Sequence, residues 1–219
     1  MDILSYRNYD ELSSKAAALL VQKINKIITQ KGKAVISIPG GRSVAGLLQK
    51  LSPQDVDWSK VEIFMIDERV VPIDDKESNF KQVYDLFLKR VNAKSHPFII
   101  EKGVEDYNQQ FQRVGAHFDI IVLGVGEDGH IAALFPGHEA LKVKGKKYIQ
   151  CNDSPKPPLQ RITASSDVIK NADVVILLFV SAGKKKAYQH FLNPKKTETK
   201  CPAKIALGAK EVFVFTEFS

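Results

Sequence analysis

A carboxylate and an imidazole stand two positions apart in the run Gly124-Val125-Gly126-Glu127-Asp128-Gly129-His130-Ile131-Ala132, directly after the apolar segment Asp119-Ile120-Ile121-Val122-Leu123. Such a pair suits general base chemistry. A neutral imidazole takes a proton from water, and the carboxylate fixes the ring tautomer or stabilises the imidazolium. An Asp-Gly-His turn also suits a plain structural role, with each polar group satisfied by its neighbours. Gly124, Gly126 and Gly129 spell GxGxxG, yet a dinucleotide site needs a long helix afterwards, and Pro136-Gly137 stops one early.

Two other stretches could receive an anion. Ser37-Ile38-Pro39-Gly40-Gly41-Arg42-Ser43 lies between an apolar run and a helical one. Its glycines let backbone N–H groups face a ligand, Ser43 is placed to cap the helix, and the positive helix end favours a phosphate. It is not a P-loop, and GxSxG fails because Gly46 follows Ser43 by three positions. A tight turn with no ligand is the bland reading. Asp67-Glu68-Arg69 follows the next apolar run, where a parallel sheet opens to solvent, and Arg69 has the fork of donors that grips phosphate. The bland reading there is a surface ion cluster. His96, His117, His130, His138 and His190 show no close ligand spacing, so no essential metal is expected.

These residues need elements to hold them. Strands are expected over 34–38, 61–66, 97–100, 119–123, 174–180 and 212–215, with a further strand at Arg161-Ile162-Thr163. Most are apolar throughout, as in a parallel sheet covered on both faces. Helices are expected over 9–30, 43–51, 79–91, 104–117 and 182–192; the first carries the stripe Leu12, Ala16, Leu19, Leu20, Ile24, Ile27. The alternation predicts an α/β protein: one doubly wound, mostly parallel sheet with helices on both faces, in a single domain over residues 1–219. Asp153-Ser154-Pro155-Lys156-Pro157-Pro158 reads as a loop of fixed shape.

Composition narrows the function classes. A hydrophobic share of 44% and a charged share of 26% fit a folded globular chain. No apolar run approaches the roughly 20 residues of a membrane span, and the N-terminus lacks a secretory pattern. Cys151 and Cys201 cannot form a disulfide framework, which fits a reducing cytoplasm. The net charge of +7 fits a nucleic-acid surface, an anionic small substrate or only a solvated lysine-rich exterior, and the scattered lysines do not decide among them. Lys184-Lys185-Lys186 has no interleaved aromatics and no DNA-binding spacing is present, which argues against specific nucleic-acid binding.

Taken in order, Gly40-Gly41, Asp67-Glu68-Arg69, Ser78-Asn79, Gly124 to Pro136, Ser154 to Pro158, Arg161-Ile162-Thr163 and Gly183-Lys184-Lys185-Lys186-Ala187 resemble the 6-phosphogluconolactonase family. That family lies within the glucosamine-6-phosphate isomerase-like superfamily, whose fold is Rossmann-like. The most diagnostic stretch is Asp128-Gly129-His130-Ile131-Ala132-Ala133-Leu134-Phe135-Pro136. Isomerase/deaminases share Asp-Gly-His but place a second acid where this chain has Leu134-Phe135.

The resemblance implies cofactor-free hydrolysis of 6-phospho-D-glucono-1,5-lactone to 6-phosphogluconate, in the oxidative pentose phosphate pathway. It casts His130 as the base and Asp128 as its partner, with modest oxyanion stabilisation from the backbone around Gly126 and Gly129. Arg69 would hold the 6-phosphate, with Lys186 as a second cation by match to Gly-x-x-Lys-Ala. Gly40, Gly41, Ser43 and Asp67 would line the pocket, with Arg42 as a departure from the usual Gly-Gly-Ser and Arg161 as a further substrate contact. A monomer or weak homodimer is expected, with no nucleic-acid or membrane partner. The alternatives are a glucosamine-6-phosphate isomerase/deaminase-like enzyme and a non-catalytic sugar-phosphate sensor. Without the closing helix usual in relatives, the strand at 212–215 should leave part of the sheet edge uncovered.

Overall fold

The computed structural model describes residues 1–218. In chain order its main elements are β1 (Asp2–Ser5), α1 (Tyr9–Lys31), β2 (Ala34–Ile38), α2 (Arg42–Leu51), β3 (Val61–Met65), β4 (Asp67–Arg69), α3 (Asn79–Leu86) and β5 (Lys94–His96). There follow α4 (Gly103–Arg113), β6 (Ile120–Gly124), β7 (Tyr148–Cys151), β8 (Arg161–Ala164), α5 (Ser166–Lys170), β9 (Val174–Phe179), α6 (Lys185–Leu192) and β10 (Glu211–Thr216).

Seven strands form one parallel sheet in the order β1-β10-β9-β6-β2-β3-β5. The fold is α/β and doubly wound. The apolar runs are explained by what they meet: alternate residues of each strand enter different cores. Val35, Ile121 and Leu123 pack with Phe111, Phe118 and Tyr107 on one face, whereas Ile36, Ile120 and Val122 pack with Leu12, Leu20 and Ile24 of α1 on the other. Chain order reverses between β2 and β6, so the loops after these two strands part there and leave a crevice, the usual ligand position in such sheets.

β4, β8 and β7 form a second, antiparallel sheet. Hydrogen bonds join the two sheets: Tyr148 of β7 donates its hydroxyl to the Met65 carbonyl of β3 (2.7 Å), and Ile66 bonds to both through its backbone. Ile66 donates its N–H to the Ile38 carbonyl (3.0 Å) and accepts from Ala164 N–H (2.9 Å).

Several expectations are corrected. The apolar run 97–100 is not a strand; β5 is the preceding Lys94-Ser95-His96, and Phe98 instead fills the core as a loop residue. Apolar character there marks burial rather than pairing. The helix expected over 79–91 ends at Leu86, with a 3-10 turn at Leu88–Arg90, and the one over 182–192 opens as a 3-10 turn, Ala182–Lys184. β10 is not a sheet edge, because β1 pairs along it from Asp2↔Phe213 to Ser5↔Thr216.

Candidate active site

β6 ends at Gly124, and the chain turns back on itself at once. Gly126 N–H donates to the His130 carbonyl (2.8 Å) and Gly129 N–H to the Gly126 carbonyl (3.0 Å). Both donors are therefore occupied inside the turn, and neither is free for a substrate oxyanion, which corrects that expectation. Gly126 is required for another reason: a Cβ there would collide with the His130 ring. At Gly129 φ is +87°, and a Cβ would meet Cys201 Sγ at 3.0 Å.

His130 Nδ1 bonds to Asp128 Oδ1, which also accepts the His130 backbone N–H (3.2 Å). An ionised carboxylate only accepts, so Nδ1 carries the hydrogen, and in the neutral ring Nε2 is the nitrogen with the lone pair. Burial pushes the Asp128 carboxyl upward, but the bond to His130, the imidazole charge and Lys156 outweigh it and hold the group well below the usual carboxylate range. Lys156 Nζ lies 3.1 Å from Asp128 Oδ2. The imidazole rests on Phe135, ring centroids 4.5 Å apart.

His130 lines a cleft of about 600 Å³ together with Gly40, Gly41, Arg42, Ser43, Asp67, Arg69, Gly126 and Arg161. The first wall is the turn before α2. Gly40 leaves no room for a Cβ against Asn79, Gly41 has φ +97°, and its N–H donates to Gln82 Oε1 (2.6 Å). Tyr9 pins the turn from below, donating to the Arg42 carbonyl (2.9 Å) and accepting from Gly46 N–H (2.8 Å). Contrary to expectation, Ser43 does not cap α2; Gly41 holds that position with no side-chain bond, and Ser43 sits within the first turn. The first N–H groups of α2 thus have no side chain to accept from them, which is the arrangement that takes an anion.

The second wall begins where β3 passes into β4. Asp67 and Glu68 are buried rather than open to solvent. Glu68 accepts from Asn79 N–H (2.7 Å), Phe80 N–H (2.7 Å) and Ser78 Oγ (3.2 Å), so it caps α3 and faces away from chemistry. Burial raises its carboxyl despite these backbone donors. Burial also raises Asp67, against the pull of Arg69, Arg161 and His130. Arg69 donates through Nη1 to the Glu77 carbonyl (2.6 Å), and its buried Nε has no acceptor among the described residues. Arg161 turns its donors on the proline loop, to the carbonyls of Lys156 (3.2 Å), Pro157 (3.1 Å) and Pro158 (3.1 Å).

The lysine run contributes differently from expectation. Lys186 is exposed on α6 and does not line the cleft; Lys184 does, with Nζ bonded to the Val125 carbonyl. Burial lowers its ammonium pKa. Three consecutive lysines give no signal for which points inward; the 3-10 turn ahead of α6 decides it. Sequence reasoning also missed Glu217, whose Oε2 accepts the Ser181 N–H (2.6 Å) and steadies that residue at φ +77°.

At the opposite ends of the strands, His117, Asp119 and Asp173 come within 4.8 Å of one another, a grouping invisible in sequence spacing. Lys31 reaches both aspartates (2.5 and 3.1 Å), and Lys210 reaches Asp173 (2.6 Å). Among the described residues no helix is long and apolar enough to cross a membrane.

A family model described as glucosamine-6-phosphate isomerases/6-phosphogluconolactonase matches residues 7–214. The chain is 32% identical over 221 residues to a probable chloroplastic 6-phosphogluconolactonase 4 of Oryza sativa subsp. indica, covering 90% of this chain and 68% of the relative. It is 33% identical over 193 residues to a 6-phosphogluconolactonase of Borreliella burgdorferi, covering 83% and 82%. The crystal structure of a 6-phosphogluconolactonase from Shewanella baltica superposes with a TM-score of 0.90 at 27% identity, over 99% of this chain and 97% of that one.

Proposed function

The chain belongs to the family of glucosamine-6-phosphate isomerases and 6-phosphogluconolactonases, and from that premise we propose that His130 is the general base of its lactone hydrolysis. The reaction converts 6-phospho-D-glucono-1,5-lactone to 6-phosphogluconate. One observation carries the assignment: Nδ1 is held by Asp128, which leaves Nε2 as the free nitrogen of an imidazole that lines a cleft with Arg42, Arg69 and Lys184.

Nε2 removes a proton from water as the oxygen attacks the lactone carbonyl. The tetrahedral intermediate then expels the ring oxygen, which leaves with the proton from the imidazolium, giving a hydroxyl and a carboxylic acid that releases its own proton to solvent as it becomes the carboxylate. Asp128 stays ionised throughout and stabilises the charged ring. A base so placed supplies roughly 10²–10⁴-fold in rate. The 6-phosphate is taken by the Arg69 guanidinium that lines the cleft and by the N-terminus of α2, with Arg42 and Lys184 adding charge. Leu134 and Phe135 are buried apolar groups where a deaminase would carry a second acid, so ring-opening of an amino sugar is not favoured. The same reading places a single domain in a reducing cytoplasm, acting without a cofactor as a monomer or weak homodimer.

The test is proton release on freshly generated lactone, against its spontaneous hydrolysis, for the native chain and His130→Ala. Turnover lost in the variant is the expected result, and equal turnover in both would remove His130 from the chemistry.

A further inference from the structure

The proline loop brings a cation to the far side of the Asp128–His130 pair. Lys156 Nζ is 3.1 Å from Asp128 Oδ2, the oxygen that His130 does not use. The same ammonium stands 5.9 Å from the centroid of the Phe135 ring, on which the imidazole rests. Lys156, Asp128, His130 and Phe135 thus close a ring of contacts. The loop is not free to carry the lysine away: Arg161 binds the carbonyls of residues 156, 157 and 158, and its guanidinium lies 5.7 Å from the same Phe135 ring and 4.0 Å from Asp67.

We propose that Lys156 is a positioning residue that keeps the His130 imidazole in its neutral, proton-accepting form by sharing Asp128 with it. A carboxylate that faced the imidazole alone would favour the imidazolium and switch the base off as pH falls. An ammonium on the second carboxylate oxygen offsets that pull while leaving the orienting hydrogen bond in place. Other charges surround the ring: Glu127 on its own turn, Asp67 and Arg69 from β4, Arg161 from β8, Arg42 from α2 and Lys184 from the turn before α6. Asp67 is buried, and Lys184 acts on both Glu127 and Asp128 from beyond contact distance, so among the described residues Lys156 is the cation whose ammonium touches the Asp128 carboxylate and whose removal leaves His130 as its contacting partner.

The inference rests on His130 as the base, and two measurements separate its failure from that of the assignment. In the absence of substrate, NMR titration of His130 in Lys156→Gln should show a midpoint higher by about half to one pH unit, the size of one partly screened charge. Lys156→Arg should restore the native midpoint. In kinetics, the acid limb of kcat/KM should move up in pH by the same amount. An unmoved midpoint in Lys156→Gln and in Lys156→Met overturns the proposal, whether or not the chain hydrolyses the lactone. A rise in KM with no movement of the acid limb overturns it as well, and makes Lys156 a substrate contact.

Discussion

The strands of the large sheet carry a cluster of charge at each end, and the two clusters are built on opposite plans. At the amino ends, Lys31, His117, Asp119, Asp173 and Lys210 answer one another within about a hydrogen-bond length, and Asp119 Oδ2 also accepts the Val35 N–H (2.8 Å). At the carboxyl ends, Arg69 keeps a buried Nε without an acceptor, α2 begins without a side-chain cap, and one nitrogen of His130 remains open. The first cluster ties down the ends of β6, β9 and β10; the second holds donors and a base in readiness for something the protein does not itself supply. Charge density alone does not distinguish them; the difference is that the first cluster pairs its charges internally, Lys210 facing even the Asp173 Oδ1 that lacks a hydrogen-bond donor, whereas the second leaves cations, a helix start and an imidazole nitrogen facing the cleft.

The sharpest way to break this contrast is to remove the open nitrogen. We expect His130→Ala to lower kcat by roughly 10²–10⁴-fold with little change in melting temperature. Next, Arg69→Met should raise KM by about 10- to 100-fold, the loss of a charge-assisted contact of roughly 1.5–3 kcal/mol, while kcat changes less. Saturation kinetics would reveal an unchanged KM if the phosphate sits elsewhere. Lys184→Ala should raise KM several-fold, whereas Lys186→Ala, exposed on α6, should leave it as it is. The reverse order would mean that the turn before α6 rearranges on binding.

The smallest effect belongs to the amino-end cluster. Burial would raise the Asp173 carboxyl, but Lys210, His117 and Lys31 together draw it down to about 2. A carboxyl depressed in the folded state stabilises the protein above its unfolded pKa, near 4, and that contribution disappears as pH falls from about 4 towards 2. Because the group is partly exposed, Asp173→Asn should cost only about 1 kcal/mol at neutral pH, flatten the acid limb of the stability profile and leave kcat/KM unaltered. Urea unfolding at pH 7 and pH 3 measures this directly; an altered kcat/KM would dissolve the separation between the two ends.

The parts of this architecture that were legible in the sequence are those where one residue's chemistry decides the outcome. The buried strands β2, β3, β6, β9 and β10 read plainly because both faces meet a core and most of their side chains are apolar. β1, β4, β5 and β7 were hidden or displaced, being short edge or small-sheet strands whose pairing is made by backbone groups. The Asp128–His130 pair was legible because two residues and the glycines around them form it locally. Lys156, Glu217 and the cap role of Glu68 were not, since each depends on segments brought together by the sheet. Glu68 is instructive: three charges in a row suggested one solvent-facing cluster, but the middle one holds up a helix.

Ile66 sets the mechanical character of the cleft. One wall, with Arg69 and Arg161, belongs to the small sheet; the other, with Gly40, Gly41 and His130, belongs to the large one, and Ile66, hydrogen-bonded to both and backed by the Tyr148–Met65 bond, ties them together. With that tie we expect the two walls to move as one body, a mould and not a pair of jaws. Substrate capture should therefore follow one kinetic phase, governed by diffusion and ionic strength, with no slower closing step behind it.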